Sequence, residues 1–265
     1  MLGFSFDGIS CTEFDICMKS KNRTLLPAPK LIIEDLPNMD GGYDFSQANS
    51  FNRIFYNRRE ITIDCYFIRR DFKDFRKLIR NIAMWLSFKE ARLTFDDEPD
   101  VYYMAKVNNK LDLEQQIGRG FFTIVFSCKP FAFSVANSME DLQCGWGLKY
   151  GMGLKYGEPN TFAITEGGLL EVINIGVFVR PKIILSGTFN GFRLEYENSS
   201  IAYNENFSGE FIIDCEKMRA TLDGNSVLSK THGEFFEFKN GVNTVQIIST
   251  LVNGNVSFDF NYKFL

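Results

Sequence analysis

The sequence has one histidine, His232, and two tryptophans, Trp85 and Trp146. A single imidazole removes most of the usual acid–base and nucleophile-activating chemistry before any motif is sought. His232 lies in Ser229-Lys230-Thr231-His232-Gly233, a loop-like stretch that reads as surface. No Gly-x-Ser-x-Gly elbow occurs, so a serine hydrolase of that type has no nucleophile turn. The six cysteines (Cys11, Cys17, Cys65, Cys128, Cys144, Cys215) form no Cys-x-x-Cys pair and have no histidine at zinc-ligand spacing. They read as free thiols, several of them small apolar residues buried in strands. A basic excess is also missing. Twenty-nine Lys and Arg stand against 33 Asp and Glu, a net charge of -4, which argues against a dedicated nucleic-acid binder. The apolar runs are too short for a membrane span of about 20 residues. Met1-Leu2-Gly3-Phe4-Ser5-Phe6-Asp7 shows no basic region followed by an apolar one, so no signal peptide is expected.

Phenylalanine is abundant, with 28 in 265 residues, and aromatics reach 15%. Bulky β-formers at that density point to sheets, and 45% apolar against 23% charged residues is the balance of a chain with a real core. The length suits two domains. Charge divides unevenly between them: residues 1–135 carry 19 basic and 18 acidic side chains, and residues 136–265 carry 10 and 15. Between the halves, Gly-Leu-Lys-Tyr-Gly occurs at 147–151 and again at 153–157. No strand precedes this segment and no Lys-Ser/Thr follows it, so a linker is the better reading than a phosphate-binding loop. The expected organisation is a domain at 1–135, a glycine-rich linker at 136–159 and a second domain at 160–265.

In the first half, Ile61-Thr62-Ile63-Asp64-Cys65-Tyr66-Phe67 alternates as a strand with Ile61, Ile63, Cys65 and Phe67 on one face. One helix follows near 71–86. Asp71 caps it, and Phe72, Phe75, Leu78, Ile79, Ile82, Trp85 and Leu86 form a stripe opposite Lys73, Arg76, Lys77 and Arg80. Strands return at 91–95, 101–107 and 120–128, with a turn at Asp96-Asp97-Glu98-Pro99-Asp100. The second half shows no helical period. Its short alternating runs at 181–185, 192–197, 209–215, 218–222, 234–238, 244–248 and 256–264 predict a β-sandwich.

Three groups of residues are candidates for chemistry. Asp96, Asp97, Glu98 and Asp100 lack the glycine and the distal glutamate of a calcium loop and read as a solvated turn. Acidic residues abound, but nothing marks two of them as a glycosidase pair. The stretch from Phe51 to Arg80 carries nine basic residues (Arg53, Arg58, Arg59, Arg69, Arg70, Lys73, Arg76, Lys77, Arg80) among Phe55, Tyr56 and Tyr66. It reads as helix surface or an arginine-rich protein interface before a nucleic-acid face. No catalytic, cofactor-binding or metal-binding residues are expected, and no cofactor.

The order of features resembles the distal tail protein family of long non-contractile-tailed phages that infect Gram-positive bacteria. Gly3-Phe4-Ser5-Phe6-Asp7-Gly8-Ile9 is similar to the family's opening strand, and Asp40-Gly41-Gly42-Tyr43-Asp44-Phe45 to its glycine-aromatic turn. Residues 93–107, Leu-Thr-Phe-Asp-Asp-Glu-Pro-Asp-Val-Tyr-Tyr-Met-Ala-Lys-Val, are the most specific match, and 125–132 resembles the strand that ends the first domain. In the second half Val172-Ile173-Asn174-Ile175-Gly176, Arg180-Pro181, 209–214 and Gly241-Val242-Asn243-Thr244-Val245 resemble recurrent family signatures. Val177 departs from the small Thr-like residue usual after Asn-x-Gly.

The resemblance implies a mainly β protein with one prominent helix. Its N-terminal domain would form a ring, and its C-terminal β-sandwich would be galectin-like or carbohydrate-module-like. It implies a non-enzymatic tail-tip hub in which a homo-hexameric ring joins the tail tube protein to tip and receptor-binding proteins. DNA would only pass through the channel, with no membrane partner. The implied location is the virion tail tip, after assembly in the bacterial host cytoplasm. The competing reading is a carbohydrate-binding module fused to an adaptor domain, and a wall hydrolase ranks below it. Sugar platforms favour tryptophan, which the sandwich strands lack, although Tyr196, Tyr203 and Tyr262 remain available as platforms.

Overall fold

The structure, a computed structural model, describes residues 3–49, 53–68, 72–87, 89–108, 110, 114–116, 119–140, 160–249 and 252–265. The chain is mainly β with one α-helix. It divides into two compact units, residues 1–132 with Leu265, and residues 133–264.

The first unit contains β1 (Phe4–Phe6), β2 (Ile9–Ser10), β3 (Cys17–Arg23), β4 (Ile33–Glu34), β5 (Tyr43–Asp44), β6 (Arg59–Ile68), α1 (Phe72–Trp85), β7 (Ala91–Phe95), β8 (Glu98–Val107), β9 (Glu114–Gln116) and β10 (Arg119–Asn137), whose last residues fall in the second unit. Its main sheet has the order β2-β1-β7-β8-β10-β6-β3. Alternation in β6 sets the register. Ile61, Ile63, Cys65 and Phe67 are buried, while Thr123 and Asp64 pair on the opposite face.

The helix closes one side of this core. Leu78, Ile82, Trp85 and Leu86 are buried, and Arg76, Lys77 and Arg80 are exposed, as the stripe predicted. Asp71 and the side chains of Phe72, Lys73 and Phe75 lie outside the described residues. Trp85 is the hub of the packing. Its ring stacks on Phe4 and Phe14 at 5.8 and 4.8 Å, meets Phe6 edge-on, and donates its indole N–H to the Phe6 carbonyl at 2.9 Å.

The turn predicted over residues 96–100 is shorter than expected. Phe95 pairs with Glu98, so only Asp96 and Asp97 turn, and Glu98, Pro99 and Asp100 already extend β8. Pro99 is tolerated because it sits at the strand's start, where a missing N–H removes little from the ladder.

The second unit continues with β11 (Thr161–Ile164), β12 (Gly168–Asn174), β13 (Lys182–Tyr196), β14 (Ser199–Asp214), β15 (Arg219–Leu222), β16 (Asn225–Ser226), β17 (Thr231–Gly233), β18 (Gly241–Ile248), β19 (Val252–Asp259) and β20 (Asn261–Phe264). Two long strands carry it. The first part of β13, 182–189, pairs with β19, and its end, 193–195, pairs with β18. Likewise β14 pairs with β17 at 201–203 and with β15 at 211–214. One hairpin thus carries paired strands along both of its edges, and Phe189, Phe192, Tyr203, Phe207 and Phe211 on it are buried.

The runs 181–185 and 192–197 are therefore one strand rather than two. Gly187 (φ 131°) and Gly191 (φ 64°) let it bend without ending, and the register shifts at Asn190/Phe192 beside Gly191. The run 234–238 alternates correctly but finds only one bridge, Val179↔Phe238; Phe236 and Phe238 anchor it by burial instead. The run 256–264 is split at Phe260 between β19 and β20. Asp223-Gly224 makes a two-residue hairpin turn, with φ of 47° and 81°.

Candidate functional site

The residues singled out for chemistry are dispersed by the fold. Among the described residues no three His, Cys, Asp or Glu side chains converge as a metal site. His232 is exposed as expected, but it belongs to β17 opposite Ala202 and not to a loop. Cys11, Cys65, Cys128 and Cys215 are buried free thiols, and Cys17 is half-buried. Burial pushes Cys128 and Cys215 up to about 12, which leaves them protonated and unreactive at neutral pH. Cys144, Trp146 and the repeated pentapeptide lie outside the described residues.

The acidic turn is consumed by the fold. Asp96 accepts the Gly3 N–H at 2.7 Å, Asp97 pairs with Lys21 and Arg23, and Glu98 takes Arg23 at 2.7 Å. The Lys21 contact holds the Asp97 carboxyl below the usual carboxylate range. These oxygens tie β3 to the β7–β8 turn.

The tyrosines offered as sugar platforms are core residues. Tyr196, Tyr203 and Tyr262 are 7%, 2% and 3% exposed. Tyr196 donates its hydroxyl to Asn243 Oδ1 at 2.7 Å, and Tyr203 donates to Glu205 at 3.0 Å. An open depression of about 500 Å³ lies over Thr188, Asn190, Asn206 and Ser208, but its rings, Phe189 and Phe207, are stacked on each other and buried. No described ring there presents a face to a sugar.

The signature residues of the second half are fasteners. Asn174 accepts the Gly176 N–H and donates to the carbonyls of Val177 and Lys239. Asn243 accepts the Lys239 N–H as well as the Tyr196 hydroxyl, and it donates to Gly241 and Lys239 carbonyls. Both are buried and fully used in holding adjacent turns.

What remains is a surface the sequence reading missed. Between Arg23 and Arg53 the chain leaves the main sheet. Its root is held by a bridge from Pro29 to Tyr56 and by Lys30 N–H to the Phe55 carbonyl at 2.7 Å. Beyond it, β4 and β5 form a separate two-stranded hairpin, and Ser46 receives the Ile32 N–H at 2.8 Å. This arm exposes Leu25 (92%), Leu26, Leu31, Ile32, Ile33, Leu36, Met39, Tyr43 and Phe45. A signal was present in the sequence: residues 25–45 are rich in aliphatics that fit neither a 3.6- nor a 2-residue period and are broken by Pro27, Pro29 and Pro37.

The basic stretch is partly spent as well. Arg58 donates to Ser127 and pairs with Glu90 at 2.8 Å, and Arg53 stacks over Phe55. Arg59 is buried beneath Tyr103. Arg69 and Arg70 lie outside the described residues. No described helix is long and apolar enough to cross a membrane.

Residues 11–128 match the family model of the phage tail protein RIFT-related domain. No curated protein matches the sequence. Among solved structures, the chain is similar over its full length to the full length of the Dit protein (gp 19.1) of SPP1, described as a paradigm of the hub adsorption apparatus in phages infecting Gram-positive bacteria. That match has a TM-score of 0.71 and 16% identity. The phage P2 baseplate in its activated conformation with calcium is similar at a TM-score of 0.44 and 12% identity, with both chains fully covered. The resemblance to the distal tail proteins is borne out by the family match and by the fold shared with the SPP1 protein.

Proposed function

We propose that the chain is a structural tail-tip hub protein with no enzymatic role. Its first domain, residues 1–135, closes with five copies of itself into a ring around a DNA channel. Residues 136–159 are the linker, and residues 160–265 form an outward docking domain for tip and receptor-binding proteins. The tail tube protein meets the ring on its other side, at the tail tip of a virion assembled in the host cytoplasm.

The observation that carries this reading is the arm at residues 25–45. Fully burying one Leu or Ile is worth about 1.5–3 kcal/mol, so a segment that exposes nine large apolar side chains between Leu25 and Phe45 asks for a partner surface. The arm stands apart from the main sheet, so the surface that receives it is a different one. Contacts between unlike surfaces propagate head to tail, and close into a ring where the rotation between neighbours divides the circle. The family match over residues 11–128 supports a tail role for this domain.

Sedimentation and native mass measurement test the reading. A species of six times the 30.4 kDa chain is expected, with dissociation on dilution. Replacing Leu31, Ile32 and Ile33 together by Ser should leave a folded monomer. A wild-type chain that stays monomeric at tens of micromolar, with no ring in micrographs of tail tips, would sink the proposal.

A further inference from the structure

The helix presents cations that its own copy does not answer. α1 buries Leu78, Ile82 and Trp85 and turns Arg76, Lys77, Arg80 and Met84 to the opposite side. All four are exposed, Met84 at 74%. In sequence the helix carries Lys73, Arg76, Lys77 and Arg80 against Asp74 alone. Among the described residues no ion pair involves Arg76, Lys77 or Arg80, whereas Lys21 and Arg23 have Asp97, Arg58 has Glu90 and Lys89 has Asp7. A basic, solvated helix face is ordinary by itself. This one shares its unit with a complement.

The arm is that complement. Residues 25–45 hold Glu34, Asp35, Asp40 and Asp44 against Lys30 alone, all exposed, and none of the four carboxylates meets a cation among the described residues. Asp44 accepts the Ser46 N–H, which leaves Glu34, Asp35 and Asp40. Two exposed surfaces of opposite charge that do not pair within one chain are suited to a head-to-tail contact between copies. We propose that the outer face of α1 receives the arm of a second copy of this chain, Glu34 and Asp35 meeting Arg76 and Arg80. This rests on the ring reading and names the surface that takes the arm. A planar guanidinium fork suits a carboxylate held in two-point contact. Leu36 and Met39, exposed and following the two carboxylates, have Met84 and the aliphatic stems of the arginines to cover. Exposed ion pairs add little affinity, so the charges set register and partner choice while the apolar residues of the arm hold the contact.

A charge swap tests the contact. Arg76→Glu with Arg80→Glu should raise the dissociation constant of the assembly at least about tenfold in sedimentation over a dilution series, and Glu34→Lys with Asp35→Lys should do the same. All four positions are exposed, so monomer melting below the assembly range should stay that of wild type. The two pairs combined restore opposite charges with their signs exchanged, and assembly should recover. Lys217→Glu with Arg219→Glu places the same charge change on exposed residues of the second unit and should leave assembly unaltered. Helix variants that assemble like wild type would overturn the proposal and leave the ring reading intact. So would a combined variant that fails to recover, or a second-unit control that weakens assembly equally. A lower-melting Arg76→Glu, Arg80→Glu monomer would mark a contact inside one copy and overturn it as well. Retained assembly with loss of binding to a short DNA duplex would assign the helix face to phosphates instead. A monomeric wild type removes the ring and this contact together.

Discussion

Replacing Trp85 tests the architecture of the first unit most sharply. The side chain is 6% exposed, stacks between Phe4 and Phe14, touches Phe6 edge-on and donates to the Phe6 carbonyl. Trp85→Ala removes the whole ring from a site walled by three aromatics, which cannot collapse easily, so the loss should be about 3–5 kcal/mol. Trp85→Phe keeps a ring but loses the hydrogen bond to the Phe6 carbonyl, a loss of about 1 kcal/mol. Thermal and urea unfolding of both variants should therefore rank Trp85→Ala below Trp85→Phe below wild type. At roughly 4 °C per kcal/mol for a unit of this size, Trp85→Ala should drop the first transition by about 12–20 °C. Arg76→Ala, on the exposed face of α1, should leave it within about 0.5 kcal/mol of wild type. A Trp85→Ala protein that melts like wild type would refute the packing argument. Equal losses for Trp85→Ala and Trp85→Phe would show that the hydrogen bond, and not ring burial, carries the residue.

The sequence was most legible where one periodicity ran unbroken. The alternation of Ile61, Ile63, Cys65 and Phe67 and the stripe of Leu78, Ile82 and Trp85 each name a buried face, and the structure buries them. Legibility failed where one long strand changes partners along its length. In β13 the glycines at 187 and 191 read as breaks, although the strand continues past both and its ladder with β14 resumes after a register shift. Short strands such as β3, with its Lys19, Ser20 and Lys21, carry too little apolar contrast to announce themselves. For the site, motif searching looked for catalytic groups and so passed over the arm, whose signal is apolar residues without a pattern. The family signatures around Asn174 and Asn243 were recognisable as words but not as chemistry. Only the geometry shows that they fasten turns.

Asn243→Ala should destabilise the second unit by several kcal/mol, because it strands the Tyr196 hydroxyl and the Lys239 N–H together; calorimetry that places the loss in the first unit would contradict this. Gly224→Ala should lose about 1 kcal/mol, since φ is 81° there, while Gly168→Ala, with no positive φ and open space around it, should be nearly silent in the same melts. Thiol titration of the denatured, unreduced protein should recover close to six groups, and recovery of two or fewer would show disulfides. Glycan arrays and calorimetry on the intact chain should show nothing tighter than millimolar, because Tyr196, Tyr203 and Tyr262 are buried; saturable micromolar binding would contradict that. Stability should also fall on the alkaline side. Cys128 and Cys215 are raised by burial from 9.0 to about 12, and Tyr262 from 10.0 to about 12. Between the unfolded and folded values the native state holds protons that the unfolded chain has released, so the slope of stability against pH is negative there. Their contribution is intact below pH 9 and is progressively lost as pH rises toward 12. Cys65, which burial pushes up furthest, and Cys128 lie in the first unit and Cys215 with Tyr262 in the second, so both unfolding transitions should drop on the alkaline side. Cys215→Ala should flatten the second unit's pH dependence and leave the first unit's unchanged. A pH profile level from 8 to 11, or a Cys215→Ala profile identical to wild type, would show that these groups ionise without unfolding the chain.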